Sequence, residues 1–242
     1  MKNKEKVDED KSILEHLSEL RKRIFISLFF ILVFFIISWN FIEDIYHILA
    51  IPVLKYLPYG EKLAYTSLTE PFLMYIKLAF ISGLFFASPF VFHQFWLFVS
   101  PALYKKEVKF VIPFVLFSSL LFVSGGAFGY FIIFPWAVKF FLQVGSQFKA
   151  IITVSQYFSL MIRILIGIAV IFELPMLVYI LAKFKIISAR FLIKYFKYSI
   201  VIIFIIAAVI TPTPDMITQS IFALPMILLY GLSILIAKIV NP

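Results

Sequence analysis

The stretch RKRIFISLFFILVFFIISW (21–39) decides the class of fold. After three basic residues comes an apolar run, 24–39, in which Ser27 and Ser38 are the polar interruptions. Such a run behind a positive flank reads as a helix held in a bilayer with its basic end in the cytoplasm. No small-residue cleavage site follows it, so it is expected to stay on the protein rather than leave as a signal peptide.

The rest of the chain carries the same signal. Of its 242 residues 63% are hydrophobic and 14% charged, against about 45–50% and about 25% in ordinary soluble domains. One soluble core cannot hide that surplus. Apolar runs at about 24–41, 71–98, 110–134, 157–182, 198–211 and 217–237 predict an all-α integral membrane protein of six transmembrane helices. The last two are the short ones. The fifth, about 14 residues, rises about 21 Å against about 30 Å of hydrocarbon. Residues 1–11, with four Lys and four acids, read as a disordered cytoplasmic tail, and 12–242 as a single membrane domain.

Basic residues set the orientation. The flanks on the side of the two termini hold sixteen of the 22 Lys and Arg, and the opposite loops hold four: Lys55, Lys62, Lys139 and Lys149. Both termini are therefore expected in the cytoplasm. Lys77 and Arg163 fall inside spans near the outer helix ends, where snorkelling accounts for them. The net charge of +9 reads as topology and anionic-lipid contact rather than nucleic-acid binding. On the outer side, residues 41–57 alternate apolar and polar positions at helical spacing up to Pro52 and predict an interfacial helix. Residues 135–156 predict a second surface-lying loop.

Chemistry has few carriers. Cysteine is absent and the three histidines are scattered, so no metal or cofactor site is expected. HExxH, Walker A, GxGxxG and GxSxG strings are missing, and with them the usual marks of an enzyme. In SILEHLSELRKRI (12–24), Ser12 and Glu15 form a capping box, and Glu19 and Arg23 stand at i, i+4. A positive flank accounts for the bases but not for acids beside the membrane. Glu107 sits among Lys105, Lys106 and Lys109, either neutralised by them or open to a cationic ligand. Glu173, in FELP (172–175), lies about 15 Å from the cytoplasmic end of its span, close to the midplane, where an ionisable residue is functional by default. Pro175 should kink that helix. In TPTPD (211–215) Asp215 can cap the last helix, and Gln219 follows one turn later. Gly125 and Gly129 permit close helix approach. An ion- or proton-coupled secondary transporter or channel, with Glu173 as its site, is the rival reading, although no internal repeat supports it.

HLSELRKR (16–23), SPALYKKE (100–107), FGYFIIFP (128–135), FELP and TPTPD with Gln219 occur in this order, and together they resemble the TatC family. FASPFVFHQFW (86–96) and IYHILAIPVLKYLP (45–58) fit the same family, and the likeness covers about residues 13–237. The resemblance implies the multi-spanning receptor of a twin-arginine protein translocase in the cell inner membrane. Such a receptor binds signal peptides with two adjacent arginines. With TatA- and TatB-like single-span partners, in a multimeric complex driven by the proton-motive force, it moves folded proteins. By motif position, Glu19 and Glu107 receive the arginine pair, with Leu20, Arg21 and Arg23 in the same segment. Glu173 and Gln219 become intramembrane or partner-contact positions, and Pro52 and Asp215 outer-face functional positions. The turn TPTPD is one residue longer than in many relatives.

Overall fold

The computed structural model describes residues 2–55, 63–99, 111–148, 151–211 and 215–241, with side chains from residue 16 onward. Its elements are α1 (Lys2–Asn40), α2 (Ile42–Leu54), α3 (Glu70–Val99), α4 (Val111–Phe128), a π-helical turn (Gly129–Ile133), α5 (Phe134–Val144), α6 (Val154–Phe172), α7 (Leu174–Lys183), α8 (Ala189–Lys194), α9 (Phe196–Ile210) and α10 (Met216–Val240). Among the described residues the only extended pairing is one parallel bridge between Ala64 and Thr153.

Among the described residues four stretches are long and apolar enough to cross a membrane: Glu70–Val99, Val111–Val144, Val154–Lys183 and Met216–Val240. A fifth is reached when His16–Asn40 and Ile42–Leu54, bent by 82° at their junction, count as one span. The run expected as the fifth span is α9, only 15 residues long. The sixth, also expected to be short, is not: the Asp215 cap starts α10 at Met216 and the apolar run carries it to Val240, 25 residues that are long enough to cross.

Two expectations need correction. The tail at 1–11, read as disordered, is helical from Lys2 onward and continuous with α1. Residues 2–23 contain neither Gly nor Pro, and Lys, Glu and Leu all favour helix, so nothing in the sequence stops the helix before Ser12. The surface loop expected from Pro135 is instead helical to Val144, because Pro135 stands in the first turn of α5, where its missing N–H is not needed. The preceding π turn closes with the Phe134 N–H donating to the Gly129 carbonyl.

The chain divides into two compact units, residues 1–42 with 79–119, and residues 43–78 with 120–242. In the first, α1 meets the later turns of α3 through aromatic contacts. Phe30 stacks on Phe90 at 4.6 Å, and a Cβ on Gly83 would lie 2.7 Å from the Phe35 backbone nitrogen. Trp96 is buried against Phe114, with ring centroids 4.3 Å apart. In the second unit α6 is central. Gly125 of α4 brings the backbone against Ala169 and Phe172, and Gly167 does the same against Ile210 of α9. At the other end of this unit Val178, Ala182, Ala189, Leu192 and Ala237 join α7, α8 and α10 in one apolar cluster.

Candidate functional site

The positive flank of α1 carries the first cluster. Glu19 and Arg23, one helical turn apart, pair at 3.1 Å between Arg23 Nη2 and Glu19 Oε1. Their side chains are 31% and 23% exposed, so the pair is open to a ligand yet partly withdrawn from water. From α3, Gln94 reaches the same guanidinium, and Arg23 Nη1 donates to Gln94 Oε1 at 3.3 Å. Gln94 is itself buried. Leu20 is half-buried, and Arg21 is exposed, its guanidinium 5.7 Å from the centre of the Phe25 ring. His16 packs its ring on Phe98 at 4.8 Å. Glu107 lies outside the described residues.

Glu173 stands at the joint between α6 and α7. Its N–H donates to the Val170 carbonyl at 3.1 Å, one residue tighter than an α-helical bond. Pro175, in the first turn of α7, supplies no N–H to the turn before it. The break expected from FELP is thus present, with a half-buried carboxyl at the joint.

Asp215 caps α10 as the sequence predicts, accepting from the Thr218 N–H at 2.7 Å and from the Thr218 hydroxyl. Gln219, one turn on, donates from Nε2 to the Phe204 carbonyl of α9 at 2.7 Å. Asp215 and Gln219 therefore secure the hairpin of the short α9 and the longer α10.

Pro52 lies in the last turn of α2 and is buried. It has no N–H to give the Ile48 carbonyl four residues back. The Tyr130 hydroxyl donates to that carbonyl instead, at 2.5 Å, and the neighbouring Leu49 carbonyl accepts from the Tyr157 hydroxyl at 3.0 Å. Pro52 thus opens an acceptor by which the π turn grips α2.

Sequence reasoning missed two polar side chains. Gln94 is separated from Arg23 by 71 residues, and its signal was one amide in an apolar run. Glu70 is the second. It stands at the first residue of α3, ahead of the apolar run, and ties two loops: it accepts from the Thr66 N–H at 2.7 Å, the Thr66 hydroxyl at 2.9 Å and the Ser155 N–H at 2.8 Å. Ser67, three residues earlier, completes the S-x-x-E pattern of a helix start, and that was its signal. The cleft beside it, about 360 Å³, also presents Lys77, Thr153 and Gln156.

Glu70→Ala should lower amide-exchange protection at Thr66 and Ser155 at neutral pH, because both N–H groups lose the carboxylate that accepts from them. Unchanged protection at both amides would show that the two loops are held together without this carboxyl.

The family model described as Sec-independent protein translocase protein (TatC) matches residues 15–225. A TatC protein of Koribacter versatilis (strain Ellin345) is 47% identical over 234 residues, covering 96% of this chain and 86% of its own. One from Helicobacter pylori (strain J99) is 43% identical over 228 residues, covering 94% and 89%. A crystal structure of the twin arginine translocase receptor TatC superposes with a TM-score of 0.81 at 38% identity, covering 93% of this chain and 99% of that one. On these grounds the chain belongs to the TatC family of Sec-independent protein translocase proteins.

Proposed function

We propose that this chain is the core receptor of a twin-arginine translocation system, binding paired-arginine signal peptides at the cytoplasmic face of the cell membrane. In this reading six spans leave both termini in the cytoplasm. TatA- and TatB-like single-span proteins join it in a multimeric complex. The proton-motive force supplies the work of moving folded precursors. The observation that carries the reading is the Glu19 carboxylate: at the basic end of an apolar helix it stays partly exposed and already engages a guanidinium at 3.1 Å. Glu107, by its place in SPALYKKE, is the second acceptor. A guanidinium fork bonds a carboxylate through two parallel N–H groups, and an ammonium cannot copy this. Glu173 and Gln219 serve contact with single-helix partners, and Pro52 and Asp215 fix the opposite face.

The test is binding of a labelled twin-arginine peptide and its twin-lysine counterpart to the purified chain in micelles. Glu19→Ala and Glu107→Ala should each weaken twin-arginine binding about tenfold, the size of one partly exposed charge-assisted hydrogen bond. Added salt should weaken wild-type binding in the same direction. Wild-type affinity in both variants would reduce the two carboxylates to local salt-bridge partners.

A further inference from the structure

Arg23 is shared between two acceptors that come from different helices. Its Nη2 lies 3.1 Å from Glu19 and its Nη1 3.3 Å from Gln94. One acceptor is a carboxylate and the other a neutral amide, so the guanidinium already has a second partner beside Glu19. Arg23 Nε is buried and makes no hydrogen bond among the described residues. The guanidinium is therefore held through one nitrogen by each helix. Gln94 is 7% exposed and forms part of the wall of an apolar cleft of about 510 Å³ with Phe30, Pro89 and Phe90. In such surroundings its amide oxygen is a strong attraction for a cation that has lost its carboxylate.

We propose that Arg23 is an internal occupant of the arginine-binding carboxylate, which an incoming arginine displaces onto Gln94. Gln94 is then a positioning residue that lowers the cost of vacating Glu19. This rests on the reading of Glu19 as a receptor carboxylate. A bidentate ligand needs both Glu19 oxygens, and Arg23 holds one of them at rest. When the ligand arrives, Arg23 gives up the 3.1 Å contact and tightens onto Gln94. The exchange cost is the same for any ligand, so Arg23 sets the threshold of binding, while the geometry at Glu19 sets the preference for arginine over lysine.

Affinities of the labelled twin-arginine and twin-lysine peptides for the full chain in micelles test this. Arg23→Met should raise both about tenfold and leave their ratio unchanged. Gln94→Met, which keeps the net charge, should lower twin-arginine affinity about threefold to tenfold, because Arg23 then closes fully on Glu19. In the Arg23→Met background the Gln94→Met change should have no effect, an interaction between the two sites that general unfolding does not produce. Weaker binding in Arg23→Met, or an equal loss from Gln94→Met in both backgrounds, would overturn the exchange. Wild-type affinity in Glu19→Ala would instead remove the receptor reading on which the exchange depends.

Discussion

Gly125→Ala is expected to lower the thermal stability of the protein, and the same change at Gly231 to leave it unchanged or raise it. Both glycines lie within helices, so each alanine gains about 1 kcal/mol of helix propensity. The surroundings decide the sign. A Cβ at Gly125 would lie 2.8 Å from the Ala169 Cα and 2.8 Å from the Phe172 Cβ. A backbone atom cannot swing aside like the end of a long side chain, so α4 and α6 must part. Overpacking of this kind costs about 1–3 kcal/mol, enough to cancel the propensity gain and, at the upper end, to exceed it clearly. Gly125→Leu should cost more, because the extra branches enter the same gap. At Gly231 a Cβ would meet nothing within 4 Å, so only the propensity gain remains. Thermal unfolding in one detergent, followed by helical signal, separates the two. A stabilised Gly125→Ala would show that the two helices are free to move apart.

The contrast between those glycines bears on what a sequence discloses. Gly125 and Gly129 share a spacing that permits helix contact, and that spacing alone named no partner helix. Features that close within one turn were legible: the i, i+4 pairing of Glu19 with Arg23, the Asp215 cap, and the break within FELP. Each depends on residues a few positions apart, where helix geometry fixes who meets whom. Features that join distant segments were not legible. Gln94 meets Arg23 across 71 residues, and Glu70 meets Ser155 across 85. Pro135 misled for a different reason. A proline reads as a stop, but it also fits the first turn of a new helix, and the π turn before it realigns the chain so that α5 continues. The start of α1 misled because low hydrophobicity speaks against a packed core but says nothing about helix propensity.

Glu173→Ala is expected to abolish most transport while leaving twin-arginine peptide capture intact. The carboxyl sits at the joint of a helix pair that spans Val154–Lys183, flanked by Phe172 and Leu174, and it is the one side chain of charged type between Arg163 and Lys183. Its backbone is part of the break itself, since the Glu173 N–H donates to the Val170 carbonyl, three residues back, at 3.1 Å, while the Glu173 carbonyl starts the next helix by accepting from the Leu177 N–H at 2.9 Å. Alanine keeps those backbone bonds, so the substitution tests the side chain rather than the kink. In hydrocarbon a polar group on a partner's single helix has few alternatives to such a carboxyl, and interhelical hydrogen bonds of this type contribute about 1–2 kcal/mol at most. That corresponds to about a fivefold to thirtyfold loss of association, and transport that needs the assembled complex falls with it. α9, packed against α6 where Ile210 meets Gly167, is only 15 residues long. A short helix thins the bilayer around it and brings a short partner to the same depth. Glu173→Gln should be milder than alanine, because an amide still offers hydrogen bonds without charge. Co-purification of the single-span partners with each variant, measured beside transport of a folded precursor, reads the two steps separately. A Gln variant as defective as Ala, with partners still bound, would shift the role of Glu173 from docking to proton transfer. Normal transport in the Ala variant would leave docking to other positions, with Gln219 of α10 the next side chain to replace.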